Sequence, residues 1–173
     1  MSPPRRDATK PPPAGPSPAP PLVVGWKEYL DLPELGIARL KAKVDTGART
    51  SALHVRDLRL VVDHGDGSGE IEFTVPLSRR HPARTVTARA RTLRQVRVTD
   101  SGGGSEVRPV IETELVLGPV RKRILLTLTD RAGMLFRMLI GRKALEGDFL
   151  VDVTRRYALR AWHPAAERPV TSR

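Results

Sequence analysis

The chain has 173 residues, which fits one ordinary domain with tails and excludes a large two-domain enzyme. It contains no cysteine, so disulfides, thiolate nucleophiles, iron–sulfur clusters and cysteine-bound zinc are excluded. Its 30 lysines and arginines against 19 acidic residues give a formal net charge of +11, which favours anionic partners such as acidic peptides, ribosomal surfaces or nucleic acid.

The beginning of the chain is rich in proline: the first 21 residues hold nine of the 16 prolines. They include no apolar residue larger than Met1 and cannot build a core, so we predict a disordered leader over residues 1–21. The folded domain is expected over residues 22–162 and a flexible tail over residues 163–173. No apolar stretch approaches the roughly 20 residues that span a bilayer, and no signal-peptide pattern is present. We therefore expect a cytoplasmic protein with no membrane partner.

After the leader, apolar and cationic residues alternate strictly over Ala38-Arg39-Leu40-Lys41-Ala42-Lys43-Val44. This period of two predicts a β-strand whose buried face carries Ala38, Leu40, Ala42 and Val44. Similar alternation predicts further strands at Leu58–Leu60, Ile71–Val75, Val96–Val98 and Ile111–Leu117.

Turn residues separate these strands. Loops are predicted over Asp63–Gly69 and Ser101–Ser105, and Gly118-Pro119 is expected to close a hairpin onto a strand at Ile124–Thr129. Arg142–Glu146 is the one segment with a helical pattern, and Gly147 ends it. Many short strands with a single short helix predict an all-β fold, either a closed β-barrel or a sandwich.

The chemistry is concentrated in Asp45-Thr46-Gly47-Ala48, directly after the first confident strand. A carboxylate at a strand end, followed by a hydroxyl and a glycine, allows a sharp turn that brings backbone amides to the acid. For the tripeptide alone, an ordinary strand-ending turn is the more common interpretation. About 95 residues downstream, however, the apolar run Met138-Leu139-Ile140 ends in Gly141-Arg142 and leads into the predicted helix.

These two motifs together resemble a retropepsin, the single-lobe aspartic protease of retroviruses. The stretches at 41–54, 108–112 and 136–142 resemble more closely a bacterial retropepsin-like aspartic protease family. Its members are often labelled putative ATP-dependent zinc proteases and are associated with ATP-grasp ligases that add glutamates to a ribosomal protein. The resemblance covers about Gly25 to Trp162, and the first stretch is highly specific.

The resemblance implies a closed retropepsin-like β-barrel and a homodimeric peptidase in which one Asp45 from each subunit forms the catalytic pair. Thr46 would brace the paired loops, Gly47 would present its backbone to the carboxylate, and Ala48 would leave room for substrate. Asp100-Ser101-Gly102 is not taken as the second acid, because the domain is too short for duplication. Instead, the hairpin Val96 to Ile111, with Gly102 and Gly103 near its tip, is expected to act as a substrate-binding flap.

Arg49 departs from the viral pattern, in which an acidic residue commonly follows Asp-Thr-Gly-Ala and can pair with the arginine of the Gly-Arg motif. Arg49 and Arg142 cannot form such an ion pair. We hypothesise that both help to bind glutamate- or aspartate-rich peptide. The simpler interpretation is that Arg49 points to solvent.

The zinc and ATP labels find little chemical basis in the sequence. It holds four histidines but no His-Glu-x-x-His motif, and His54 with Asp57 is the one compact pair of donors that could join Asp45 at a metal. No glycine-rich phosphate loop with its lysine is present. We therefore predict neither a metal nor a cofactor.

Three function classes follow. The first is an aspartic peptidase that hydrolyses a peptide or protein with an Asp45 pair formed across a homodimer. Its expected substrates are acidic or glutamate-tailed. The second is a non-catalytic basic β-barrel that regulates a ribosomal-protein-modifying glutamate ligase. The third is a zinc peptidase built around His54. Direct nucleic-acid binding is disfavoured, because aromatic residues make up only 4% of the chain.

Overall fold

The structure of the protein is a computed structural model that describes residues 20–66, 68–99, 104–130, 133 and 135–162. Within these ranges the chain forms eleven β-strands, one four-residue α-helix, α1 (Arg142–Leu145), and two short 3-10 helices, Pro33–Leu35 and Arg160–Trp162. The strands are β1 (Leu22–Gly25), β2 (Lys27–Leu32), β3 (Ile37–Asp45), β4 (Ser51–His54), β5 (Arg56–Asp63), β6 (Gly69–Pro76), β7 (Thr85–Thr99), β8 (Ser105–Leu117), β9 (Val120–Thr129), β10 (Met138–Gly141) and β11 (Phe149–Asp152).

Nine strands form one sheet in the order β2-β3-β10-β4-β9-β8-β7-β6-β5. Pairing of Asp31 in β2 with Val116 in β8 connects the first strand of this order to the sixth, so that these six strands form a ring. Strands β7, β6 and β5 extend beyond the ring as an antiparallel arm whose outer edge is β5. Strands β1 and β11 pair in parallel as a separate two-stranded sheet.

The core is built from the apolar residues that alternate along the ring strands and along β6 of the arm. Its fully buried large side chains come from distant parts of the chain and include Leu30, Leu40, Leu53, Phe73, Ile111, Leu115, Leu126 and Met138. Each such side chain contributes on the order of 1.5–3 kcal/mol through removal from water. The core therefore fixes the position of β3 and β10, the two strands that lead into the candidate site.

The prediction of a mostly β fold with one short helix is confirmed. Every strand predicted from alternation lies within an observed strand, Gly118-Pro119 joins β8 to β9, and the helix lies at Arg142–Leu145. Gly118 adopts φ +61°, and a side chain there would approach Leu159 at 2.8 Å, so the turn requires glycine. Strands β1, β2, β4, β10 and β11 had no predicted counterpart.

One predicted buried position is wrong: Ala38 is exposed, whereas its neighbour Ile37 is buried. The cause is a bulge in the pairing of β2 with β3. From Leu30 to Leu32 the chain of β2 advances two positions, whereas from Leu40 to Ile37 the chain of β3 covers three. Arg39 takes up the extra residue with a left-handed φ of 54°. Its amide is held by Oδ1 of Asp31 at 2.7 Å.

Glu28 anchors the C-terminal part of the domain to β2. Its buried carboxylate accepts the backbone amides of Gly25 and Ala158, both at 2.7 Å, and of Leu159 at 3.3 Å. A Cβ at Gly25 would lie 2.6 Å from the carbonyl oxygen of Arg155, so glycine permits this close approach. Three backbone donors therefore satisfy the buried carboxylate of Glu28.

Some predictions fall outside the described residues. These are most of the leader, the tail over residues 163–173, and Asp100, Gly102 and Gly103 of the predicted hairpin tip. Among the described residues, no helix is both long and apolar enough to cross a membrane.

Candidate functional site

The candidate site is the turn that follows β3. Asp45 ends that strand, is half-buried, and pairs in register with Gly141 at the end of the parallel strand β10. Its Oδ1 accepts the backbone amides of Gly47 at 3.1 Å and Ala48 at 3.2 Å. Two amide donors thus fix the orientation of a carboxylate that remains partly open to solvent.

Two glycines make this geometry possible. A Cβ at Gly47 would lie 3.3 Å from Oδ1 of Asp45, tighter than an ordinary contact. A Cβ at Gly141 would lie 2.6 Å from the carbonyl carbon of Thr50, a backbone atom that cannot move aside. The amide of Gly141 donates to the buried Oγ of Ser51 at 3.1 Å, so the polar groups beneath the turn are also satisfied.

Arg142 braces the turn from below. Its Nη1 donates to the carbonyls of Thr46 at 2.8 Å and Gly47 at 3.1 Å, and its backbone amide donates to the carbonyl of Ala48 at 2.9 Å. The amide of Lys143 adds a bond to the carbonyl of Arg49 at 3.1 Å. The start of α1 therefore holds four consecutive residues of the turn, 46–49, by their carbonyl groups.

The two arginines predicted to bind acidic peptide have different surroundings. Both residues are exposed, but the guanidinium of Arg142 donates to the turn's own carbonyls. Arg49 lies close enough to Glu146 to contribute to the lowered pKa of that carboxyl, whose main cause is the hydrogen bond from Lys143. Binding of acidic peptide by these two arginines stays a prediction.

A cavity of about 590 Å³ opens beside the turn. It is lined by Thr46 and Arg49 of the turn, Arg142 and Lys143 of α1, and Phe149 of β11, among others. Asp45 does not line it. The cavity therefore lies on the Thr46 side of the turn, between α1 and the two-stranded sheet.

The predicted flap corresponds to the end of the hairpin that β7 and β8 form. Val96 pairs with Arg108 and Thr99 with Ser105, so the hairpin is antiparallel up to the last described residues before its tip. Nη1 of Arg97 donates to Oγ of Ser105 at 3.2 Å across the two strands. The glycines expected at the tip lie outside the described ranges, and their contact with substrate stays a prediction.

The residues do not fit a zinc site around His54. The His54 ring is buried, and its Nδ1 lies 3.4 Å from Oδ1 of Asp130. Burial, with a further contribution from Arg137, lowers the pKa of His54. In the part of the chain that the structure describes, no group of three histidine or acidic side chains is arranged to hold a metal.

Sequence reasoning gave no functional role to Lys43. Lys41, Lys43 and Asp45 alternate along β3 with the buried residues Ala42 and Val44, so all three lie on one face of the strand. The alternation itself carries this signal, because positions two apart in a strand share a face.

Three comparisons place this geometry among known proteins. A family model described as "Retropepsin-like aspartic endopeptidase RimB" matches residues 23–161. A crystal structure of a Legionella pneumophila protein of unknown function superposes with a TM-score of 0.65 at 24% identity, covering 80% of this chain and 98% of that one. That likeness concerns the fold.

Curated relatives are named probable alpha-L-glutamate ligases. The protein from Parasynechococcus marenigrum is 39% identical over 131 residues, or 76% of this chain and 28% of the relative. The one from Desulfotalea psychrophila is 39% identical over 139 residues, or 79% of this chain and 29% of the relative. The chain thus spans under a third of the length of these relatives.

Proposed function

The chain belongs to the RimB-like family of retropepsin-like aspartic endopeptidases, and from this premise we propose that it hydrolyses peptide bonds with a pair of Asp45 carboxylates. One carboxylate comes from each subunit of a homodimer. The observation that carries the proposal is the Asp45 turn, in which two amides orient a half-buried carboxylate and Arg142 braces the surrounding carbonyls.

The pair works because two adjacent carboxyl groups share one proton. The ionised carboxylate removes a proton from water as the water oxygen attacks the scissile carbonyl carbon. The protonated carboxyl gives its proton to the carbonyl oxygen, and a tetrahedral diol forms. When the diol collapses, the C–N bond breaks, the nitrogen accepts the proton that the first carboxylate took from water, and a diol hydroxyl gives its proton to the other carboxylate. The pair again holds one shared proton.

A two-fold axis follows from the need for a second acid. A two-fold interface brings identical residues together, so a single Asp-Thr-Gly turn per chain suffices. Support comes from the surface beside the turn, where Thr46 is exposed and the cavity toward Phe149 opens. The nearby two-stranded sheet carries an exposed apolar pair, Val23 and Leu150, which face each other in register and suit burial against a second copy.

The ring of strands and the β7–β8 hairpin also have roles in the proposed homodimer. The ring of six strands is the closed barrel of a retropepsin subunit, and the β7–β8 hairpin is the flap that excludes water from the site. Support for the first comes from the Asp31–Val116 pairing, and for the second from the antiparallel pairing of β7 with β8 as far as Thr99 and Ser105.

We propose acidic or glutamate-tailed peptides as substrates and a glutamate ligase, or the ribosomal protein that it modifies, as a partner. The net charge of +11 favours acidic ligands by long-range attraction. In the curated relatives a domain like this one belongs to a longer chain named a probable alpha-L-glutamate ligase. Addition and removal of glutamate in one location is a coherent pairing of activities.

A non-catalytic role remains the second candidate, favoured by those same relatives, because their name refers to the ligase and not to a peptidase. In that case the basic domain binds the ligase or its acidic product without cleaving it.

Peptide-library digestion with sedimentation of wild type and Asp45→Asn separates the two candidates. The peptidase predicts that both proteins are dimers, that wild type cleaves, and that Asp45→Asn loses nearly all activity, on the order of 10³-fold or more. Equal cleavage by both proteins, or no cleavage by wild type at any pH while partner binding persists, would reject the peptidase.

A further inference from the structure

The face of β3 that carries Asp45 also carries a row of lysines. Lys41 and Lys43 are exposed on that face, and Lys27 of β2 is the register partner of Lys43. We call Lys27, Lys41 and Lys43 the lysine row. Residues two apart in a strand are separated by roughly 7 Å, so Lys43 lies about 7 Å from Asp45 along the strand and Lys41 about 14 Å.

Lys27 and Lys43 carry like charges at directly opposite positions of two neighbouring strands. The amide of Val44 donates to the carbonyl of Trp26 at 2.9 Å, which makes Trp26 and Val44 a hydrogen-bonded pair. In an antiparallel ladder the next pair, Lys27–Lys43, is then a non-hydrogen-bonded pair, whose side chains lie closest. Like charges placed directly opposite each other destabilise a sheet.

None of the three lysines has a carboxylate oxygen within 4.0 Å among the described residues. Two of them have aromatic partners instead. Nζ of Lys27 lies 4.4 Å from the ring centre of Trp26, and Nζ of Lys41 lies 5.8 Å from that of Tyr29. Lys43 contacts neither an acid nor a ring in the described structure, and its other register neighbour is the apolar Leu139.

We infer that Lys43, with Lys27 beside it, forms the subsite for an acidic side chain next to the scissile bond, and that Lys41 forms a second subsite two residues further along the peptide. This inference rests on the proposed function, because it takes Asp45 as the point of cleavage. In an extended peptide, side chains on one side also recur every roughly 7 Å, so their spacing matches that of the lysine row. An acidic side chain would supply the negative counter-charge that Lys43 lacks.

A nucleic-acid strand is the less suitable occupant of this face. Its bases would need free aromatic surfaces, but Tyr29 stacks on Tyr157 at 4.8 Å and Arg39 lies 4.9 Å from the centre of the same Tyr29 ring. Lys27 likewise lies over both Trp26 and Tyr157. The rings therefore stabilise cations and are not available as a stacking platform.

The test compares binding of two peptides that differ only in Glu or Gln at the residue next to the scissile bond. Binding is measured by fluorescence anisotropy to Asp45→Asn, which holds peptide without cutting it, and to the double variant Asp45→Asn/Lys43→Gln. We expect Asp45→Asn to bind the Glu peptide about tenfold more tightly than the Gln peptide, as one charge-assisted hydrogen bond provides. The double variant should lose this ratio. Asp45→Asn/Arg91→Gln, which removes an exposed charge on β7, should keep it.

Charge reversal sharpens the test. Lys43→Glu in the same background should favour a Lys peptide over the Glu peptide. A Glu-to-Gln ratio near one in Asp45→Asn, or a ratio unchanged by Lys43→Gln, would overturn the inference. So would tighter binding of single-stranded RNA than of the Glu peptide, with the RNA affinity lowered by Lys43→Gln. Hydrolysis by wild type is measured separately: a Lys43-dependent ratio without hydrolysis would reject the peptidase and keep the acidic subsite.

Discussion

The Asp45 turn directly follows the strand that carries Lys41 and Lys43 of the lysine row, yet the polar groups of the turn and of the row have opposite surroundings. In the turn, carbonyls 46–49 and the Asp45 carboxylate all receive hydrogen bonds from the chain itself. In the lysine row, the exposed ammonium of Lys43 has no carboxylate within 4.0 Å among the described residues. The groups of the turn are therefore fixed in one geometry, whereas we propose that Lys43 is placed to bind an acidic ligand.

Arg142→Met tests the satisfied side of this comparison and has the largest expected effect. The change removes two charge-assisted bonds to the carbonyls of Thr46 and Gly47 and frees the turn. We expect kcat/KM to fall on the order of 100-fold, because misplacement of the carboxylate by about 1 Å is costly. The free energy of unfolding should fall by about 1–3 kcal/mol in thermal denaturation.

Arg142→Lys provides the matched control, since one ammonium can reach a single carbonyl but cannot span both. It should recover only part of the lost activity. Full activity in Arg142→Met would mean that the turn holds its geometry without this brace.

The buried His54 makes the free energy of unfolding depend on pH. Because burial and Arg137 lower the pKa of His54 below its ordinary 6.5, the unfolded chain binds a proton more readily than the folded one. The contribution of neutral His54 to stability is therefore complete above pH 6.5 and is lost progressively as the pH falls through and below that value. Asp130 opposes the shift and Arg56 adds slightly to it.

The measurement is chemical denaturation of wild type and His54→Gln between pH 5.5 and 7.5, above the range in which carboxylates titrate. Wild type should lose stability toward the acid end, and His54→Gln should show a smaller slope. A parallel slope in the two proteins would contradict the assignment to His54.

The smallest effect is expected for Lys43→Gln on stability. Removal of one of two opposed like charges should leave the free energy of unfolding unchanged or raise it by up to about 0.5 kcal/mol, and less at high salt. Thermal denaturation at low and high ionic strength measures this. A loss of more than about 1 kcal/mol would show that Lys43 holds the fold together and is not reserved for a ligand.

The Asp45 turn was easier to predict from the sequence than the contacts that hold it in place. The alternation in β3 located the strand that ends at Asp45, and the Asp-Thr-Gly motif together with Gly141-Arg142 identified Asp45 as the candidate acid. The brace from Arg142 could not be read in the same way, since it depends on two segments about 95 residues apart that meet only when β10 pairs with β3. The Ala38 prediction failed for a related reason: the bulge at Arg39 depends on the pairing partner β2.

Lys43 shows a different limit. Its position on the Asp45 face was visible in the sequence, but a lysine in an alternating strand usually faces solvent and has no function. What distinguishes it is its lack of a carboxylate or ring in the described structure and its placement opposite Lys27. Neither property can be read from the order of residues alone.

The central claim, that two subunits share one pair of Asp45 carboxylates, is tested most directly by mixed dimers. Wild type and Asp45→Asn are combined in equal amounts, their subunits are exchanged by joint unfolding and refolding, and peptide hydrolysis is measured at constant total protein. If each active site needs both acids, random pairing leaves about a quarter of the wild-type activity. About half of the activity would show that each subunit acts alone and would contradict the account.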